Sequence, residues 1–368
     1  AGALKVLNDG LNNHFSNPSA SHKIGRALTK EIELHRDFFI KTVEGSDHYN
    51  YIFTSSATES NNMVILGFDF AREDVAYVSK SEHPSLIGPL KKCEEKGLIL
   101  KDLPLNKKGQ IDENIFFKNL DQKTSFIVLS HINNQSGVIQ PVESFSRKIK
   151  KLNPSIKIHL DATQSFSKIP ISLKNSDIDF MTVSSHKLGG PKGIAGLFFR
   201  KGIQVCPLLW GGGQEQNLRP STQSFPLISS FKCATDEAMV KMNQSYEHIK
   251  RISQIIIDRL RGEVSQIIFP FDGNVSPYIL TFIVPGISSD IILRHMEQED
   301  IIFSSTSACS SKIKGENPVF EAIGIHRQFH KNVLRVSFSH ENTVSEIEVF
   351  CEKFIKIYKE LKFLFSKN

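Results

Sequence analysis

The chain has little cysteine and no long apolar run, and both shortages narrow what it can be. Its five cysteines, Cys93, Cys206, Cys233, Cys309 and Cys351, are scattered with no close pair. That spacing offers neither a zinc-ligand set nor a disulfide framework, so no metal is expected and a reducing cytoplasm is the expected location. No hydrophobic stretch approaches the ~20 residues of a membrane-spanning helix. The opening AGALKVLNDG lacks the basic start and apolar core of a secretion signal. No internal repeat, low-complexity block or long linker is visible. Charge of one sign is also scarce: 45 Lys+Arg against 39 Asp+Glu leaves +6, too mild over this length for a nucleic-acid footprint. Neither nucleic acid nor a membrane is therefore an expected partner. With 40% hydrophobic and 23% charged residues, disorder and collagen-like structure are excluded as well.

What is present is an alternation. Between Tyr51 and Arg200 the β-rich runs are YIFT (51–54), VAYVS (75–79), LILKDL (98–103), SFIVLS (125–130), IKIHL (156–160), FMTVS (180–184) and GLFFR (196–200). Helical patterns lie between them near 59–70, 84–96, 111–120 and 141–152. Such alternation predicts a mostly parallel sheet covered by helices on both faces. Ligands of such sheets gather at the carboxyl ends of the strands, and the polar clusters 55–60, 131–137, 161–164 and 184–187 fall there. Beyond the glycines at 211–213 the pattern changes to one long helix over about 231–262, strand-like ILTFIV (279–284), a helix near 289–298, a serine-rich loop and VLRVSFS (333–339). A second, smaller α+β unit is predicted, with a boundary near residue 240. In the last stretch Phe354, Ile357, Tyr358, Leu361, Leu364 and Phe365 recur at helical spacing, opposite Lys353, Lys356, Lys359 and Lys362. That face is expected to pack on its own domain rather than on a membrane or a partner.

Three places carry chemistry. Lys187 follows a buried strand inside the glycine-rich turn SSHKLGGPKG. A surface charge explains a lysine there poorly. A desolvated lysine of lowered pKa is what a Schiff base with pyridoxal phosphate (PLP) requires, and Lys192 is the better candidate for an ordinary solvated lysine. Asp161 ends IKIHL; it either caps the next helix or keeps a PLP pyridine nitrogen protonated, so that the ring accepts electrons from Cα. Thr54-Ser55-Ser56-Ala57-Thr58-Glu59 opens a helix with capping-box spacing between Ser56 and Glu59. Such a hydroxyl-rich helix start is either a plain cap or a phosphate site.

The segments NPSASH (17–22), TSSATESNN (54–62), SEH (81–83), NNQSGVIQP (133–141), HLDATQ (159–164), SSHKLGGPKG (184–193), GGGQEQNLRPST (211–222), SSTSACSS (304–311) and LRVSFS (334–339) follow one another along almost the whole chain. In these the chain resembles the NifS/IscS-type cysteine desulfurases, class V members of the PLP-dependent aspartate-aminotransferase fold. The resemblance implies an α/β fold of type I, with a large PLP-binding domain over 12–240. A smaller α+β domain would comprise 241–368 together with 1–11 and carry the catalytic cysteine loop.

Residue by residue, the likeness implies that Lys187 bears the cofactor, Asp161 holds its pyridine nitrogen and Gln164 its phenolic oxygen. His83 would stack on the ring and relay protons, although as a lone residue it reads equally as a helix cap. Thr58, Ser184 and His186, with the Ala57 backbone, would bind the phosphate. Asn134 and Arg335 would hold the substrate carboxylate; on its strand alone, Arg335 reads equally as a sheet-edge residue. Thr222 would reach the phosphate of a neighbouring subunit, making the unit a homodimer. Cys309 would take sulfur from L-cysteine as a persulfide, leaving L-alanine, and pass it to an acceptor protein for iron–sulfur assembly or thiolation. The length from Cys309 to Ile325 fits the NifS/IscS group better than SufS-like enzymes, and the other cysteines read as packing residues. Ala1 stands roughly where the family's opening turn ends, Thr306 where glycine is common, and Pro220-Ser221 in place of Ser-Gly. The alternative readings are a selenocysteine lyase or aminotransferase of the same fold, and a PLP-poor sulfur-relay scaffold.

Overall fold

The computed structural model describes residues 2–46, 48–305 and 317–365. Two helices, α1 (Gly2–Asn13) and α2 (Lys23–Thr42), precede the alternating region. That region runs β1 (Tyr49–Thr54), α3 (Ala57–Gly67), β2 (Val75–Val78), α4 (Pro84–Glu94), β3 (Ile99–Asp102), α5 (Glu113–Lys118), β4 (Thr124–Ser130), α6 (Val142–Leu152), β5 (Lys157–Asp161), β6 (Phe180–Ser184) and β7 (Ala195–Arg200). There follow α7 (Phe225–Val240), α8 (Met242–Glu263), β8 (Ile279–Ile283), α9 (Ser289–Glu297), β9 (Ser304–Ser305), α10 (Pro318–Ala322), β10 (Val333–Ser337) and α11 (Val344–Phe365). Among the described residues no helix is long and apolar enough to cross a membrane.

The first seven strands form one sheet in the order β1-β7-β6-β5-β4-β2-β3. Pairings from β3 through β6 are parallel, and β7 is antiparallel to both β6 and β1. The predicted mostly parallel sheet is thus present, and β1, β2, β4, β5 and β6 all end on the same edge. Period-two alternation decides which helices cover which face. On β1, Ile52 packs with Met63 of α3 and Leu86 and Leu90 of α4. Its neighbour Tyr51 stacks on Phe39 of α2 with ring centres 4.8 Å apart, and Phe39 meets Phe231 of α7 at 4.5 Å. Burying such rings on both faces is the main driving force for this unit.

The chain divides into two compact units. The larger comprises 1–103, 113–131 and 141–242; the smaller comprises 104–112, 132–140 and 243–368. This corrects the expected grouping in two ways. Residues 1–11 belong with the larger unit, because α1 packs on α7 and Ser230 Oγ donates to the Ala3 carbonyl at 2.6 Å. Two short excursions from the middle of the chain belong with the smaller unit. There a three-stranded antiparallel sheet, β8-β10-β9, is covered by α8, α9 and α11 around Ile252, Ile256, Phe282, Leu334 and Phe354. The apolar face of α11 lies in this core as expected, with Ile357, Tyr358 and Leu361 buried; the side chains of Leu364 and Phe365 lie outside the described residues. The long helix predicted over 231–262 is two helices that part at Lys241. No residue from Asp236 to His248 is buried, so no apolar stripe spans the junction.

One buried ion pair pins the glycine-rich segment to the sheet. Arg36 of α2 meets Glu215 at 2.7 Å and also donates to the Tyr51 carbonyl at 2.7 Å, while Glu215 accepts the Phe53 N–H at 2.8 Å. Glu215, Gln216 and Asn217 all hold positive φ, a left-handed run that costs energy for non-glycine residues and is held by these contacts. Arg36→Met, which leaves the Glu215 carboxylate buried and unpaired, should lower unfolding stability by about 3–5 kcal/mol. Denaturant unfolding of the full chain measures it, and Arg36→Lys, lacking the fork, should recover only part of the loss.

Candidate active site

The site of the larger unit is assembled at the common strand edge. Asp161 closes β5 opposite Ser130 of β4 and Thr182 of β6. Its carboxylate is buried and accepts the Thr163 N–H at 2.9 Å and Asn61 Nδ2–H at 2.9 Å. No helix follows Asp161, so the helix-capping alternative does not describe it; its oxygen caps only a local turn. One strand over, β6 ends in Ser184, whose hydroxyl lies 2.8 Å from His186 Nδ1. The turn then closes over buried Ser185: a Cβ on Gly190 would sit 2.1 Å from Ser185 Oγ, so only glycine fits.

Lys187 is exposed, which corrects the expectation of a desolvated lysine. Ser185 takes the buried position of this turn, and Lys187 leaves the sheet beyond it. Exposure therefore does not separate Lys187 from Lys192, which is exposed too. Electrostatic neighbourhood does. Lys187 acts on His83 and Lys168 as well as on His186, whereas among these three Lys192 acts only on His186. Burial, with Lys187 beside it, brings the Lys168 ammonium down to about 8. Burial also lowers His186, with Lys187, Lys192 and Lys168 adding to the effect.

At β1, Ser56 caps α3 by accepting the Glu59 N–H at 3.1 Å. The predicted capping box is displaced by one residue, since the Glu59 carboxylate accepts from Ser55 N–H at 2.8 Å rather than from Ser56. Its other oxygen takes Arg219 Nε–H at 3.0 Å, tying the 211–222 segment to this helix start. Ala57 is half-buried and Thr58 exposed at the first turn of α3; Gln164 is half-buried beyond β5, and Thr222 is exposed. Beyond β2, His83 is indeed a helix cap: its Nδ1 accepts the Ser85 N–H of α4 at 3.1 Å. Burial lowers its pKa, Asp161 opposes that shift and Lys187 adds to it. Capping and facing this site are compatible, because the cap uses Nδ1 alone.

In the smaller unit Arg335, in the middle of β10, donates from Nη1 to the Asn134 carbonyl at 2.9 Å. The structure thus brings these two predicted residues together. The surrounding turn is fixed by Asn133 Oδ1, which accepts the Gln135 and Ser136 N–H groups, each at 3.0 Å. Cys309 lies outside the described residues. Of the other cysteines, Cys93 and Cys351 are buried as expected, but Cys206 is exposed, which corrects its reading as a packing residue.

Several polar residues at this edge escaped notice as individuals. Asn61, Ser85 and His159 are buried beside Asp161, and Glu82 accepts from Ser130 N–H at 3.0 Å and from its hydroxyl. Burial pushes the Glu82 carboxyl up to about 7, against those hydrogen bonds and with help from Asp161. A histidine inside the apolar run IKIHL is the one signal the sequence carries for this group; Asn61 in TSSATESNN and Glu82 in SEH look like ordinary polar residues of a helix and a loop.

A buried carboxylate, a lysine and a capping histidine at the strand ends of this sheet define a fold type I α/β enzyme. A model of the aminotransferase class-V family matches residues 2–350, and the chain belongs to that family, within its NifS/IscS cysteine desulfurases. Cysteine desulfurase IscS of Dictyoglomus turgidum is 30% identical over 356 residues, 96% of this chain and 90% of that protein. The IscS of Buchnera aphidicola is 32% identical over 361 residues, covering 94% and 86%. The solved NifS-like protein from Rickettsia africae matches with a TM-score of 0.86 at 27% identity, over 97% of this chain and 95% of that one.

Two histidines of this edge make stability depend on pH. Burial lowers His131 and His159 to about 4, with Asp161 opposing the shift of His159. Below ~6.5 the unfolded chain takes up protons that the folded chain refuses until about 4. The stabilisation is full above 6.5 and shrinks as pH falls. Going from pH 7.5 to 5.0 should lose about 1–2 kcal/mol per histidine, measured by denaturant unfolding, and His159→Gln should flatten the slope.

Proposed function

We propose that the chain binds PLP and converts L-cysteine to L-alanine, leaving sulfur on Cys309 as a persulfide for an acceptor protein. The observation that carries this reading is the buried, doubly hydrogen-bonded carboxylate of Asp161 within electrostatic reach of His83, which also feels Lys187. The donor set fits the cofactor. An anionic carboxylate suits a protonated pyridine nitrogen, and hydroxyls with free helix-start N–H groups suit a phosphate. Bound there, PLP supplies an electron sink for the pair left at the substrate Cα.

In this reading Asp161 keeps a proton at the pyridine nitrogen, and the Gln164 amide donates to the phenolic oxygen. Thr58, Ser184, His186 and the Ala57 N–H hold the phosphate, with Thr222 reaching that of the other subunit in a homodimer. Lys187 would bear the cofactor and, once released, move a proton at Cα, a role its exposed position permits. His83 would lie beside the cofactor and move protons between it and the substrate. Arg335, oriented by the Asn134 carbonyl, pairs with the substrate carboxylate, and the Asn134 amide supplements it. The Cys309 thiolate attacks the substrate sulfur; the S–S bond forms as the Cβ–S bond breaks, and Cβ takes a proton. Thiol plus cysteine gives persulfide plus alanine, so no outside oxidant or reductant is needed. Cytoplasmic location and service to iron–sulfur assembly or thiolation belong to the same proposal.

Lys187→Ala should abolish cysteine turnover, at least 1000-fold, with unchanged unfolding behaviour. Borohydride reduction of the PLP-loaded chain and peptide mapping should find the label on Lys187; label on Lys192 or Lys168 overturns the assignment.

Cys309→Ser should keep PLP absorbance and its change on adding cysteine, yet lose persulfide and alanine formation, because a hydroxyl cannot hold sulfane sulfur. Persulfide on Cys206, the exposed thiol among the described residues, or alanine release at the parent rate would move the reading to a lyase or aminotransferase.

A further inference from the structure

Behind Asp161 and His83 lies a hydrogen-bonded chain that no part of the reading above uses. Asn61, fully buried on α3, donates one amide hydrogen to Asp161 Oδ2 at 2.9 Å and the other to Ser85 Oγ at 2.9 Å. The orientation of this amide is forced. Turning it over would set its carbonyl oxygen against a carboxylate that can only accept. Asn61 Oδ1 therefore faces His159 Nε2, 2.9 Å away, which must carry a hydrogen. Ser85 Oγ, having accepted from Asn61, has its own hydrogen left to give. It lies 2.8 Å from His83 Nδ1, the same nitrogen that accepts the Ser85 backbone N–H at 3.1 Å. Two donors converge on Nδ1, and the hydrogen of a neutral His83 ring is left to Nε2.

We propose that Ser85, held by Asn61, is a positioning residue that fixes the His83 imidazole in its Nε2–H form and couples its orientation to the Asp161 carboxylate. The tautomer follows from this chain of donors alone; its catalytic use rests on the function proposed above. The consequence there is that His83 presents a donor, not an acceptor, toward the cofactor and substrate. The charged groups acting on the ring are Asp161 from β5 and Lys187 from the turn after β6. Both would remain when Ser85 is altered, so a shift on alteration reports the hydroxyl.

The test is ¹⁵N–¹H NMR on the full chain labelled at histidine, with and without PLP, His83 being assigned from a His83→Gln variant. In the parent, His83 should titrate below the usual histidine range and show a protonated Nε2 beside an unprotonated Nδ1. Ser85→Ala removes a hydrogen bond accepted by the neutral ring, so the titration should move up by about half to one pH unit, a three- to tenfold rise in proton affinity. Tautomer mixing should appear as well. Ser85→Thr should restore both signatures. Asn61→Leu, which does not touch His83, should shift it in the same direction by less. In turnover, Ser85→Ala should lower kcat several-fold and move its acid limb upward while KM changes little.

An Nδ1–H ring in the parent, or a Ser85→Ala titration identical to the parent's, overturns the proposal. An unmoved His83 in Asn61→Leu overturns the coupling to Asp161. Should the chain fail to turn over cysteine, the NMR result still decides the tautomer, so the two readings fail separately. Should Ser85→Ala misfold, the parent tautomer and the Asn61→Leu shift carry the same decision.

Discussion

A carboxylate buried at the end of a strand is the constraint around which this edge of the molecule is arranged. Taking a charge such as that of Asp161 out of water costs several kcal/mol unless donors replace the lost hydration. The Thr163 N–H and the Asn61 amide supply those donors. The second donor dictates the orientation of Asn61, which in turn sets the hydrogen on His159 and leaves the Ser85 hydroxyl free for His83. A charge requirement at one atom thus propagates as hydrogen-bond polarity across three elements, α3, α4 and β5.

Strand order makes that propagation possible. Because β4, β5 and β6 run parallel and in register, Ser130, Asp161 and Ser184 arrive at one edge, and the turns after them are forced into proximity. The helix starts of α3 and α4 close the same edge, each capped by its own side chain, Ser56 and His83. Arg219 and the Arg36–Glu215 pair then moor the glycine-rich segment to this assembly. Rigidity here comes from caps and ion pairs on the larger unit, whose aromatic core lies beneath them.

Much of the fold was legible because its signals were periodic. Apolar strand runs and amphipathic helices carry their pattern over many residues, and all eight patterned segments between Tyr51 and Leu152 recur as elements within a few residues of where periodicity placed them. The helix over 231–262 was misjudged because helical propensity persists through Lys241 while the apolar face does not. The membership of residues 1–11, 104–112 and 132–140 was not legible at all: a bond such as Ser230 to Ala3 joins residues far apart in sequence. At the site, the motif lysine, aspartate and histidine stood out by their positions after strands. Their buried supports did not, since Asn61 and Ser85 are ordinary polar residues of helix starts until the geometry shows what lies on either side. The exposure of Lys187 shows the opposite error: position after a buried strand in a motif does not say how deeply a residue is itself buried.

The placement of β1 at the sheet's rim bears on how the chain is made. Among the described residues its sole sheet partner is β7, with Tyr49 opposite Arg200, so β1 emerges roughly 150 residues before that partner. At ~5–20 residues per second, synthesis leaves that strand without its partner for about 8–30 s. An aromatic strand with free N–H and C=O groups is during that interval a template for any other extended segment. The nascent chain is therefore most prone to aggregation between the emergence of β1 and that of β7. Holding α2 against β1 through Arg36 and Phe39 covers one face of it but leaves the edge open, which makes this stretch of synthesis the point at which chaperone binding would matter most.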